Sequence, residues 1–182
     1  GFSSVWWPEA HGVTYNTPSP MLSLAAVATH TSHITLGTGV IIASQYNPVR
    51  IAEEAAMLDV ISDGRFILGV AIGYRPYDFE LLKAQVRKRG ALLEELIPFW
   101  KALWSRNDVD FDGEYLHYEK ASIEPKPVTP GGPPVYIGGY GDLTLKRAAT
   151  LADGWLPGGA ADKTGLRGMF GKYRDNLDST GK

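Results

Sequence analysis

Residues 34–43 read Ile-Thr-Leu-Gly-Thr-Gly-Val-Ile-Ile-Ala, and residues 66–71 read Phe-Ile-Leu-Gly-Val-Ala. Both runs are apolar at nearly every position. A strand with one wet face would alternate, so each run is expected to be a parallel strand covered on both sides. The stretch between them has helical character. Pro48 stands at its first helical position, and Ile51, Ala55, Leu58 and Ile61 recur at helical spacing. Glu53, Glu54 and Asp59 are expected to face away from the core, and Asp63-Gly64 ends the helix. Strand, crossover helix and second parallel strand form one right-handed unit.

The same alternation continues in both directions. Upstream, residues 3–7 form a short β-branched and aromatic strand that Pro8 stops. A polar loop then leads to a helix over 21–30, with Ser19 as N-cap and Pro20 at the first helical position. Downstream of the loop at 73–78, a helix over 87–104 carries a wide apolar stripe that includes Leu92, Leu96, Trp100 and Leu103. Pro98 lies inside it. An interior proline costs about 3 kcal/mol, so this helix is expected to bend there or restart near Ile97. Residues 109–118 read as a hairpin around Asp112-Gly113, and 122–134 as a proline-rich extended connector. The stretch at about 107–132 is thus an expected insertion within a single domain spanning 1–182. Beyond it come a strand at 135–137, a glycine turn at 138–142, a helix at 143–152, a strand at 155–156 and a helical stretch at 164–177.

Strand and helix alternate about five times, which leaves two α/β folds in competition. One is an open doubly wound parallel sheet, and the other is a TIM (β/α)8-type barrel. A barrel needs eight units and about 250 residues. Unit counting by itself favours the open sheet.

Composition narrows the chemistry. The chain has 182 residues, 44% of them hydrophobic, so a core can form without disulfides or a structural metal. With 18 Lys and Arg against 20 Asp and Glu, interspersed along the chain, there is no basic field for nucleic acid. Zero cysteine removes thiol catalysis and Cys-ligated zinc. No stretch approaches the roughly 20 apolar residues of a spanning helix. A soluble, cytoplasmic protein is expected.

In either fold, ligands collect at the carboxyl ends of the strands. The candidates are therefore Glu9 and His11, then residues 39–45, 73–75, 138–144 and 157–159. The most informative piece is Ile-Gly-Gly-Tyr-Gly-Asp-Leu-Thr at 137–144, which runs from a strand straight into a helix. Gly138, Gly139 and Gly141 let the backbone approach an anion. The first free N–H groups of the helix favour a phosphate there, and the Thr144 hydroxyl adds a donor. The turn lacks both the six-residue dinucleotide pattern and the P-loop lysine. Its plain alternative is a tight turn that needs glycine for its dihedrals.

His11, close to Glu9, is a candidate proton donor or hydrogen-bond donor to a substrate or ring system. His30 and His33 are expected on the surface at the opposite end of the strands, and His117 lies in the insertion. No two histidines have the i, i+4 spacing of a metal site beside a carboxylate, so no catalytic metal is expected. No Gly-x-Ser-x-Gly elbow occurs. A hydrolase pairing Glu9 with Asp78 stays as an alternative. Trp6, Trp7, Tyr15, Tyr46 and Tyr74 stand near strand ends, as a wall for a planar cofactor or as core.

Taken together and in order, these motifs resemble the bacterial luciferase-like superfamily of flavin- and F420-dependent oxidoreductases. The matching words are residues 1–9 (Gly-Phe-Ser-Ser-Val-Trp-Trp-Pro-Glu), 36–40 (Leu-Gly-Thr-Gly-Val) and 47–59 (Asn-Pro-Val-Arg-Ile-Ala-Glu-Glu-Ala-Ala-Met-Leu-Asp). They continue at 61–70, 125–128, 133–139 and 147–155. The resemblance implies a TIM barrel, with these strands as the second to sixth of eight and the others before Gly1 and after Lys182. It implies FMN, or alternatively coenzyme F420, at the carboxyl end of the barrel. The ring would lie over a non-prolyl cis peptide at Gly39-Val40, with the phosphate at Tyr140, Gly141 and Thr144. There are departures from the family's pattern. The catalytic histidine of luciferase aligns with Ala10, its phosphate-binding arginine with Ile72 and its reactive cysteine with Ala71. Light emission is therefore not expected, and phosphate binding leans on the turn from Gly138 to Thr144.

The function implied is a flavin-dependent oxidoreductase or monooxygenase using reduced FMN on a small organic substrate, with a flavin reductase as supplier. A homodimer through the helix at 48–62 is also implied. F420-dependent hydride transfer and a truncated, non-catalytic flavin-binding protein are the alternatives.

Overall fold

The strand segments pair side by side in the order in which they occur along the chain. The computed structural model describes residues 1–12, 17–84, 87–158 and 162–181. In chain order its elements are β1 (Ser4–Trp7), α1 (Pro20–Thr29), β2 (Thr35–Thr38), β3 (Ile41–Ile42), α2 (Pro48–Ser62), β4 (Phe66–Ala71), α3 (Pro76–Leu81) and α4 (Arg89–Ser105). They continue with β5 (Val109–Asp112), β6 (His117–Ala121), β7 (Val135–Gly138), α5 (Asp142–Leu151), β8 (Gly154–Leu156) and α6 (Lys163–Thr180). The main sheet is β1-β2-β4-β7-β8, with β3 continuing the line of β2 beside β4, and every pairing is parallel. A doubly wound sheet reverses its strand order at a switch point. This one never does, so unit counting is corrected and the sheet is an arc of barrel wall. Among the described residues β1 and β8 do not close it.

Curvature follows from which residues face inward. Trp6 on β1 and Tyr136 on β7 are three strand positions apart, roughly 14 Å in a flat sheet. Their ring centroids are 6.2 Å apart. The sheet bends enough for its inward side chains to converge, and glycine makes the room: a Cβ on Gly37 would fall 2.2 Å from the Trp6 ring. The other face of each strand carries Leu36, Phe66, Leu68, Val70, Val135 and Ile137, all sealed under the helices. With inward side chains converging on one face and helices sealing the other, both faces are covered, which accounts for the continuous apolar runs.

The long apolar run at 34–43 is not one strand. From Gly37 to Ile41 the chain advances four residues, while its partner β4 advances three, from Ile67 to Val70. The extra residue makes a bulge that contains the cis peptide Gly39-Val40, where the resemblance had put it. Inside the bulge the Thr38 hydroxyl donates to Gly69 C=O and accepts from Gly69 N–H, both at 2.8 Å. One side chain thus replaces a stretch of backbone ladder.

Asn47 caps α2, its Oδ1 accepting from Val49 N–H and Arg50 N–H. The outward-facing expectation for Asp59 is corrected: it is fully buried, accepting from Thr129 N–H and Thr129 Oγ1 at 2.8 Å each. Ile61, expected in the core, is exposed. Helical periodicity locates a stripe, but the connector crossing above α2 decides which side is covered. Helix α4 runs through Pro98 without a restart, and Trp100 and Trp104 donate from Nε1 to Pro48 C=O and Ala52 C=O one turn apart on α2. Ser19 precedes α1 without a side-chain cap bond. The hairpin β5–β6 forms its own two-stranded sheet, and the Glu95 carboxylate on α4 accepts from the N–H groups of Glu114, Tyr115 and Leu116 in its turn. Helix α3 arises in what the sequence reads as loop. Among the described residues no helix is long and apolar enough to cross a membrane.

A Cβ at Gly69 would stand 1.9 Å from Thr38 C=O, a backbone atom that cannot swing aside. Gly69→Ala is therefore expected to lower stability by about 1–3 kcal/mol, measured by denaturant unfolding.

Candidate functional site

A cleft of about 650 Å3 opens at the carboxyl ends of the strands. Its floor is the bulge, Gly39 and Val40, with Ile42 beyond; its inner wall is Trp6. On one side stands the turn Gly138, Gly139, Tyr140 and Gly141 with Thr144, and on the other the exit of β4, from Ala71 to Tyr74. All seven residues expected to hold a cofactor therefore line one cavity. Floor and turn touch directly: a Cβ on Gly138 would come within 2.7 Å of Val40 Cγ1.

The glycine turn is held open by β8. Gly139 N–H donates to Leu156 C=O at 3.1 Å, and Trp155 Nε1 donates to Gly139 C=O at 2.7 Å. Gly139 has φ +131°, a conformation that disfavours any side chain. Gly141 is the N-cap of α5 and offers no capping side chain. The N–H groups of Asp142, Leu143 and Thr144 have no partner within the helix and form the positive end of its dipole, while the Asp142 side chain is turned to Lys172. That is the chemistry of an anion site.

Arg89 also lines this cleft, and sequence reasoning missed it. It is the first residue of α4, with its guanidinium carbon 5.7 Å from the centroid of the Phe79 ring. A cation at a helix N-terminus opposes the dipole, and the Arg87-Lys88-Arg89 run was the signal available. Where luciferase's arginine aligns, Ile72 adds an apolar wall; Arg89 brings the positive charge from another element.

Glu9 and His11 are not among the residues lining the cleft; they lie against its floor. The Glu9 side chain is fully buried and His11 is 12% exposed. Glu9 Oε2 accepts from Ile42 N–H at 2.6 Å, and Oε1 accepts from the Tyr46 hydroxyl and from His11 Nε2, the latter at 2.9 Å. A carboxylate can only accept, so His11 carries its proton on Nε2 and leaves Nδ1 for another partner. Asp78 is buried beside Arg75 at 3.3 Å and does not line the cleft. Of the aromatic candidates, Trp6 and Tyr74 line the cleft, Trp7 packs against the helix-side core and Tyr46 lies beneath the floor. Tyr15 and Gly159 fall outside the described residues.

Residues 1–182 match the family model described as luciferase-like monooxygenase. Over 140 residues the chain is 34% identical to the oxygenase component of a flavin-dependent trigonelline monooxygenase from Acinetobacter baylyi, covering 75% of this chain and 39% of that protein. Over 166 residues it is 32% identical to an F420-dependent glucose-6-phosphate dehydrogenase from Kineococcus radiotolerans, covering 86% of this chain and 48% of that protein. The crystal structure of monooxygenase RslO1 from Streptomyces bottropensis matches with a TM-score of 0.89 at 23% identity, covering 99% of this chain and 56% of that one. At that identity the likeness is one of fold. The chain spans about half the length of the proteins it matches.

Burial pushes the Tyr46 phenol far above the ordinary tyrosine range, and the charge of Glu9 and the bond to it push the same way. The folded chain therefore holds this proton more tightly than the unfolded chain, whose tyrosines ionise at about pH 10. The resulting stability is whole below about pH 10 and is lost as pH rises above it. Burial also raises Tyr118 and Tyr173, a background common to wild type and variant. Tyr46→Phe is expected to cost about 1 kcal/mol at pH 8 and to show a shallower loss of stability above about pH 10 than wild type. Denaturant unfolding across that range measures both.

Proposed function

Because the chain belongs to the luciferase-like monooxygenase family, we propose that it forms the cofactor-binding part of a flavin-dependent oxidoreductase or monooxygenase that uses reduced FMN on a small organic substrate. One observation carries this reading. A side-chain-poor floor at Gly39 and Val40, an anion cradle at Gly138, Gly139, Tyr140, Gly141 and Thr144, and the cation of Arg89 all share one cleft. The residues present fit a planar ring joined to a phosphate. A Cβ on Gly141 would meet nothing nearer than Thr144 Oγ1 at 3.8 Å, so the cradle has room for an anion. A cavity of this size is in the range of cofactor sites.

The cofactor, when bound, supplies the redox chemistry, and the protein supplies orientation and a dry pocket. Trp6, Val40, Ile72 and Leu156 keep water from the ring. The first N–H groups of α5, the Thr144 hydroxyl and Arg89 hold the phosphate. His11, with Nε2–H donating to Glu9, keeps Nδ1 as an acceptor that can take up a proton beneath the floor of the cleft. A separate reductase supplying reduced flavin accords with the relative named as an oxygenase component, and a cytoplasmic address accords with that supply.

A second reading has its own support: the relative of 32% identity named for F420-dependent dehydrogenation covers more of this chain. Fluorescence titration with FMN and with F420, oxidised and reduced, decides between the two. Binding of neither would refute the assignment of the cleft. The α2 face carrying Met57, Val60 and Ile61, exposed at i, i+3 and i+4, supports a homodimer formed through that helix.

Arg89→Ala is expected to raise the Kd for FMN about ten-fold or more and to leave the affinity for riboflavin, which has no phosphate, unchanged. Gly141→Val is expected to act in the same direction by filling the cradle. Ile61→Glu should convert a dimer to monomer in sedimentation velocity without unfolding the chain.

A further inference from the structure

We infer that Glu9 is a positioning residue for this site, resting on the cofactor reading above: its buried carboxylate fixes the floor of the cleft and the orientation of His11, and it does not exchange a proton with substrate. Three facts support this. The side chain has no exposed surface and does not line the cleft, so no substrate atom reaches it. Its two oxygens are engaged by three donors, Ile42 N–H, the Tyr46 hydroxyl and His11 Nε2. Those donors come from separate segments: the exit of β1, strand β3, and the residue after the 3-10 turn Ala43–Gln45.

The floor needs such a tie because the bulge interrupts its ladder to β4. Gly39 N–H still donates to Trp7 C=O at 2.8 Å, and Glu9 N–H donates to Val40 C=O at 3.3 Å. The Glu9 carboxylate then reaches past Ile41 to take Ile42 N–H at 2.6 Å. Backbone and side chain of one residue thereby clamp the segment on both sides of Ile41. At the same time Oε1 sets the His11 tautomer, with Nδ1 the atom left over. An amide in place of the carboxylate would turn one acceptor into a donor facing a donor, in a space already sealed.

The test uses the full chain in four forms: wild type, Glu9→Gln, Glu9→Asp and, as a control, Asp59→Asn, which alters a fully buried carboxylate remote from the cleft. Without any cofactor, 15N NMR of wild type is expected to show His11 protonated at Nε2. Amide exchange at Ile42 is expected to accelerate about ten-fold in Glu9→Gln relative to Leu36, and not in Asp59→Asn. With FMN or F420, whichever wild type binds, Glu9→Gln is expected to raise Kd about ten-fold and to alter the visible circular dichroism of the bound ring. Glu9→Asp should recover part of both, while Asp59→Asn lowers Tm alone.

A neutral His11 protonated at Nδ1 in wild type would overturn the inference, and so would unchanged Ile42 exchange. The same holds if Glu9→Gln keeps Kd and ring spectrum while abolishing turnover, which would make Glu9 the reacting acid. If wild type binds neither cofactor, the cofactor reading fails, and the NMR and exchange results still judge the floor.

Discussion

The Thr38 hydroxyl bonds both the C=O and the N–H of Gly69 at 2.8 Å, and the rest of the site depends on that bridge. At that point β2 and β4 fall out of step by one residue. A ladder that loses register in a parallel sheet leaves backbone groups unpaired and buried, a cost comparable to a lost hydrogen bond for each. The hydroxyl satisfies both groups at once, and Gly69 can approach so closely only because it has no Cβ. The released segment, Gly39 and Val40, then lies across the end of the sheet as the floor of the cleft.

From that floor the site is assembled by charge as much as by shape. The first turn of α5 presents N–H groups that have no partner within the helix, and Arg89 reaches the same cleft from the start of α4. Arg89 opposes the dipole of its own helix, whereas Asp142 in the first turn of α5 offsets the dipole of that helix. The opposite arrangement governs Glu9, whose charge is withdrawn from the cleft and consumed by three donors. The cleft thus carries Arg89 and the glycine turn at one end and an apolar wall of Trp6, Ile72 and Leu156 elsewhere.

Much of this was legible in the sequence, and the misses have a common form. Helix starts at Pro20 and Pro48, the stop at Asp63-Gly64 and the glycine turn before α5 were all readable, because each depends on residues within a few positions of one another. The cis peptide at Gly39-Val40 came only by resemblance. Periodicity puts Asp59 and Ile61 on the wrong sides of α2, because the partner of Asp59 is Thr129, seventy residues on, and because among the described residues no element covers Ile61. The basic run Arg87-Lys88-Arg89 is the one local signal for Arg89, and it does not say which cleft the side chain reaches. Glu9 and His11, close in sequence, are hydrogen-bonded to each other, but their separation from the cleft depends on Ile42 and Tyr46.

The sequence by itself determined the parallel strands, the crossover helices and the glycine turn that an anion would favour, since period, proline and glycine act locally. The barrel was available from the sequence only by resemblance, and the tertiary structure alone decided that Arg89 shares a cleft with the turn and that Glu9 turns inward. Those outcomes depend on contacts between segments more than 30 residues apart, where the partner of a side chain is set by how the strands pack and not by its neighbours along the chain.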